Sequence, residues 1–117
     1  MLTQSDIISI HAPLNEHTEG LIDREAFEKM KPSCIFLNLG RGPIVDEQAL
    51  YNALVRNQIA AAGLDVLCKE PMSADNPLLK IKDSKRLLIT PHIAWASVEA
   101  RTHLMEIIHG QVKDFFA

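Results

Sequence analysis

The apolar residues of this chain fall into four short runs, and segments with helical spacing lie between them. The first run, Asp6 to His11, reads as a mostly buried strand that Pro13 closes. Asp23 can N-cap a short helix through Met30, with Ala26, Phe27 and Met30 on one face, and Lys31-Pro32 stops it. Ser33 to Leu39 is a second strand. Its uninterrupted apolar character predicts a parallel strand with helices on both faces. Asp46 then caps a helix over Glu47 to Asn57, where Ala49, Leu50, Ala53 and Leu54 form a stripe. Ala60 to Val66 gives the third strand, whose first residues are small enough for close approach by a helix or a ligand. A polar loop with Pro71 and Pro77 leads to the fourth, Arg86 to Ile89, and Ser97 caps a last helix from Val98 to about Phe116.

Strands alternating with helices predict an α/β fold with a parallel sheet. A dinucleotide-binding sheet of this kind begins with a strand and a Gly-x-Gly-x-x-Gly turn that seats the pyrophosphate. None of the five glycines forms that pattern, and Gly40-Arg41-Gly42 runs on into Pro43-Ile44-Val45. The expectation is therefore the C-terminal half of a doubly wound, Rossmann-like sheet in three α-β-α layers, with residues 1–117 as a partial domain. Charge adds little: 12 basic side chains face 15 acidic ones, with no basic stripe for nucleic acid. No apolar run has the length of a membrane span and no secretory leader is visible, so a cytoplasmic location is expected. Cys34 sits in an apolar run as a small core residue, and Cys68 has no neighbour that would activate its thiol.

Three ionisable residues stand immediately beyond predicted strands. Arg41 follows the second strand, Glu70 the third and His92 the fourth. In an open parallel sheet the carboxyl ends of the strands open onto one crevice where ligands bind, so a cation, a carboxylate and an imidazole there form a candidate acid–base site. Plainer readings stand beside these three and beside two neighbours: Arg41 as a surface cation, Glu70 as a solvated loop residue, His92 as a structural histidine, Asp65 as a residue that ends its strand or caps a turn, and Trp95 as core packing. His11 is at a strand end, near a cofactor or simply structural, and His17 reads as solvated. His103 and His109 are six residues apart on one helix and so do not share a face, and no metal cluster is expected.

Four motifs, in order and spacing, resemble the D-isomer-specific 2-hydroxyacid dehydrogenases. They are His11-Ala12-Pro13-Leu14 with Thr18 and Gly20-Leu21-Ile22, Asn38 to Glu47, Gly63-Leu64-Asp65-Val66 with Glu70-Pro71, and Thr90 to Trp95. The Ile93-Ala94-Trp95-Ala96 stretch looks most like the glycerate dehydrogenase and hydroxypyruvate reductase branch. The resemblance implies NAD as cofactor, with NADP open, and a small 2-hydroxyacid or 2-oxoacid as substrate. It implies His92 as acid–base group, Glu70 as its partner and Arg41 as the clamp on the substrate carboxylate. Asp65 would accept from the nicotinamide carboxamide. Ala12, Pro13, Leu39 and Gly40 would line the cofactor, with Ala94 and Trp95 closing near its nicotinamide. Such proteins also carry a glycine-rich turn and a substrate domain, so the chain is expected to be a fragment that self-associates through its first strand. Two other readings stay open: a non-catalytic nucleotide- or protein-binding module of the same fold, and an inert truncation product.

Overall fold

The computed structural model describes all residues from Met1 to Ala117. Four parallel strands form one sheet in the order β1 (Ile7–Ile10), β2 (Ile35–Asn38), β3 (Ala61–Leu64) and β4 (Leu87–Ile89). Helix α1 (Arg24–Glu28) joins β1 to β2, and α2 (Glu47–Val55) joins β2 to β3. A long loop with a 3₁₀ turn at Pro77–Lys80 joins β3 to β4, and α3 (Val98–Phe116) follows β4. No helix is long and apolar enough to cross a membrane. The expected α/β parallel sheet is what forms, in sequential strand order.

The register shows where the core sits. Ile8 pairs with Phe36, Phe36 with Ala62 and Ala62 with Leu87, so these four share one face. Under that face lie Phe27 and Met30, together with the α2 stripe Ala49, Leu50, Ala53 and Leu54. Phe27 meets Phe36 edge to face, with ring centroids 5.3 Å apart. Leu78 of the 3₁₀ turn is buried in the same cluster.

The opposite face corrects an expectation. Ile7, Ile35 and Leu88 are 61%, 41% and 61% exposed, so the second strand is covered on one side only. Within this chain the sheet has two of the three expected layers. The remaining helix, α3, has no buried residue, and its apolar Leu104, Ile107, Ile108 and Val112 all face solvent. The radius of gyration, 16.9 Å, exceeds the roughly 13 Å of a compact domain of this length, because α3 projects from the sheet.

Element ends are one or two residues tighter than the apolar pattern predicts. Asp23 and Asp46 cap α1 and α2 as expected, each carboxylate accepting backbone N–H groups of the first turn. The helix α2 stops at Val55 rather than Asn57, because Asn57 takes φ 58°. Arg86 ties this end down from a distance: its guanidinium donates to Leu54 O of the last turn at 2.7 Å and, beyond the helix, to Asn57 Oδ1 at 2.8 Å and Ala60 O at 2.6 Å. Arg86→Lys keeps the charge but not the planar fork, and should lower unfolding free energy by about 1–3 kcal/mol in a denaturant titration.

Candidate active site

The carboxyl ends of all four strands lie on one edge of the sheet, and β2 and β3 each run into a buried polar residue that folds a loop there. At the end of β2, buried Asn38 accepts from the Gly40 N–H at 3.1 Å and donates from Nδ2 to Arg41 O at 3.0 Å. The turn that carries Arg41 is thereby tied to the strand. Gly40 packs so closely on the loop after β1 that a Cβ there would lie 2.9 Å from Ala12 O. The Arg41 guanidinium donates to Gly40 O at 2.9 Å and otherwise faces solvent. Beyond it, Gly20 and Ile22 donate to Pro43 O and Ile44 O, fixing the segment against the loop before α1.

The end of β3 repeats the device with a charge. Asp65 is 3% exposed, and its Oδ1 accepts from Thr90 Oγ1 at 2.6 Å and from the Ile93 N–H at 2.9 Å. Its Oδ2 accepts from the Ala94 N–H at 2.8 Å. Burial alone would raise its pKa, but these hydrogen bonds outweigh burial and hold the carboxyl below its usual value. Asp65 thus organises the whole turn after β4. A carboxylate has about four acceptor sites, so one stays open for a further donor such as a carboxamide.

That turn presents His92. Its backbone has φ 57°, in the left-handed region that side chains other than glycine rarely take. The strain is held by Asp65 on the following amides and by Trp95 Nε1 donating to His92 O at 2.7 Å. Trp95 is 60% exposed, which sets aside a core role. The His92 Nδ1 lies 2.8 Å from Glu70 Oε2, while Glu70 Oε1 accepts from the Leu67 N–H at 2.9 Å. The Leu67 amide, then the imidazole, keep the Glu70 carboxyl below its usual pKa. With Nδ1 engaged, Nε2 is the ring nitrogen left without a protein partner.

Of the three expected residues, two therefore meet. Glu70 and His92, with Asp65, Thr90 and Met72, line a cleft of about 410 Å³. Arg41 lines a neighbouring cleft of about 480 Å³ with His11, Ala12, Pro13, Leu39 and Gly40. Both clefts open at the carboxyl edge, and no hydrogen bond or ion pair joins Arg41 to the Glu70–His92 pair. His11 Nε2 bonds to Ser9 Oγ at 2.8 Å, a local strand-end contact. Sequence reasoning missed Asn38 and Thr90 as loop-folding residues, although a lone polar residue ending an apolar strand is a readable signal. Cys68 stays a thiol: burial, then the Glu47 carboxylate, push its pKa up to about 11.

Comparison with known proteins bears on this geometry. The family profile described as "D-isomer specific 2-hydroxyacid dehydrogenase, NAD binding domain" matches residues 1–94. The chain belongs to this family. It is 47% identical to a hydroxypyruvate reductase of Blautia hydrogenotrophica, covering 98% of this chain and 35% of the relative. It is 44% identical to a glycerate dehydrogenase of Methylorubrum extorquens, covering 100% and 37%. Among solved structures, an acyclic imino acid reductase in complex with NADPH and D-Arg superposes with TM-score 0.85 at 36% identity, covering 98% of this chain and 36% of that one. A D-lactate dehydrogenase from Aquifex aeolicus complexed with NAD and lactic acid gives 0.81 at 31%, covering 98% and 38%. The chain thus spans little more than a third of the length of these relatives.

Asp65 and Glu70 both have folded pKa values below their unfolded ones. Their contribution to stability is complete above about pH 5, the upper side of ordinary carboxylate values, and is lost as pH falls through the lowered folded values. Thermal melts from pH 6 downward should show a falling midpoint below about pH 4, shallower in Asp65→Asn. An identical pH slope in the variant would show that Asp65 contributes nothing.

Proposed function

We propose that this chain supplies the proton-transfer half of a dehydrogenase that interconverts a small 2-hydroxyacid and its 2-oxoacid, such as glycerate and hydroxypyruvate. The observation that carries the reading is the His92 Nδ1–Glu70 Oε2 contact of 2.8 Å at the mouth of the sheet, which leaves Nε2 free. Imidazole suits a reversible proton transfer because its ordinary pKa lies near neutrality. In oxidation, His92 Nε2 takes the hydroxyl proton as C2 loses its hydride and the carbonyl forms. In reduction it returns that proton to the carbonyl oxygen. Glu70 fixes the ring orientation and offsets the imidazolium charge. Arg41 presents unengaged guanidinium donors to the substrate carboxylate, for which a planar fork is suited.

A nicotinamide dinucleotide, when bound, accepts or supplies the hydride. The residues present fit such a group. Ala12, Pro13, Leu39 and Gly40 line an open cleft, and the bare Gly40 backbone lies against Ala12 O, which a Cβ there would approach to 2.9 Å. The free acceptor site of Asp65 suits a carboxamide, and Ala94 and Trp95 flank it through the turn Asp65 folds. Relatives bound to NAD and to NADPH support NAD as the cofactor and leave NADP within the same reading. In this reading residues 1–117 are part of a dinucleotide-binding domain whose pyrophosphate turn is not among them. Cys34 and Cys68 are both free, as in a cytoplasmic setting.

A chimaera in which residues 1–117 replace the matching third of the Blautia reductase tests the assignment. It should reduce hydroxypyruvate with NADH, and His92→Ala should lower kcat by about 100-fold or more with cofactor binding kept. Unchanged turnover in that variant would remove His92 from the role.

Homo-oligomer formation belongs to the same proposal. The outer edge of β1 has no strand partner, and the face bearing Ile7, Ile35 and Leu88 is open. Light scattering on the chain should give a mass above 13.1 kDa; a clean monomer would refute self-association.

A further inference from the structure

The loop that carries Glu70 is anchored by a residue to which the catalytic reading gives no task. Glu47 is the first residue of α2, where an acidic side chain ordinarily stabilises the helix end. Here both of its oxygens reach out of the helix. Oε1 accepts from the Cys68 backbone N–H at 2.8 Å, and Oε2 accepts from Asn76 Nδ2 at 2.7 Å. Asn76 is itself buried, and its Oδ1 accepts from the Leu78 N–H at 2.9 Å. One carboxylate thus joins both ends of the loop that brackets Glu70 to the helix after Arg41.

Two further contacts reinforce the same junction. The Cys68 thiol donates to Val45 O at 3.5 Å. A Cβ on Gly42 would overlap the Leu67–Cys68 peptide, so the two backbones are in direct contact. Leu67 is the residue whose N–H fixes Glu70 Oε1. The path from Glu47 to the imidazole is therefore short: Cys68 amide, Leu67 amide, Glu70 carboxylate, His92 Nδ1.

Building on the dehydrogenase reading above, we propose that Glu47 is a positioning residue that clamps the Leu67–Asn76 loop and so sets where the Glu70 carboxylate stands against His92. Glu47 touches neither substrate nor cofactor and acts through Glu70. Its charge is suited to the task because both of its partners are donors.

Donor and acceptor polarity makes the clamp testable. Glu47→Gln keeps an acceptor for Cys68 but turns an amide donor toward the amide donor of Asn76. Asn76→Asp alone sets two carboxylates against each other. The two substitutions together restore a donor facing an acceptor at each link, since the introduced carboxylate still accepts from Leu78. The readout is the His92 Nδ1–H resonance of the isotope-labelled chain at low temperature, with core methyl signals of Leu50 and Leu54 as the check on folding. Each single substitution should abolish or broaden the Nδ1–H resonance with the core signals unmoved, and the double substitution should recover it. A resonance unchanged in Glu47→Gln overturns the proposal. So does a folded double variant that fails to recover it, a result that can be read even where a single variant does not fold. No substrate enters this measurement, so a chimaera without turnover would count against the dehydrogenase reading and not against the clamp.

Discussion

A carboxylate taken out of water costs several kcal/mol unless donors replace its hydration. Asp65 meets that condition by taking its donors from one turn: the Thr90 hydroxyl and the amides of Ile93 and Ala94. The arrangement couples two neighbouring strands at their carboxyl ends. While Asp65 stays charged and buried, the chain after β4 must curl over β3, and His92 must stand beside Glu70. The turn and the hydrophobic core are held by different forces, since the core lies under α1 and α2 and Asp65 is not part of it.

The rest of the site repeats that logic with weaker partners. Asn38 does for the Arg41 turn what Asp65 does for the His92 turn, using an amide in place of a charge. Each chemistry-bearing side chain is thus exposed while the residue that aims it is buried. This division lets a solvent-facing imidazole or guanidinium be placed precisely, since exposed side chains otherwise sample several rotamers. The two clefts of this chain follow from it, one aimed from β2 and one from β3.

The fold was legible in the sequence because apolar runs and helical stripes report burial directly, and the caps Asp23 and Asp46 mark where helices start. The placement of Arg41, Glu70 and His92 was legible for a related reason: each follows an apolar run whose carboxyl end a parallel sheet brings to one edge. What escaped was everything decided by non-local partners. Nothing near Glu47 in the chain announces Asn76, 29 residues away. The end of α2 is met by Arg86, just ahead of β4 and 32 residues away from Leu54. The open face of the sheet was also hidden, since Ile35 and Leu37 read as buried whether or not anything covers them. A turn-capping role was among the readings of Asp65, but that the turn is the distant one after β4 could not be read from its neighbours in sequence.

The left-handed backbone at His92 has a consequence for how this position can vary. A residue with a side chain there works against its own torsional preference, and glycine or asparagine would sit more comfortably. Relaxed selection would let the codon drift to one of those two. An imidazole at this position carries a torsional cost, which the Asp65 and Trp95 hydrogen bonds around it offset.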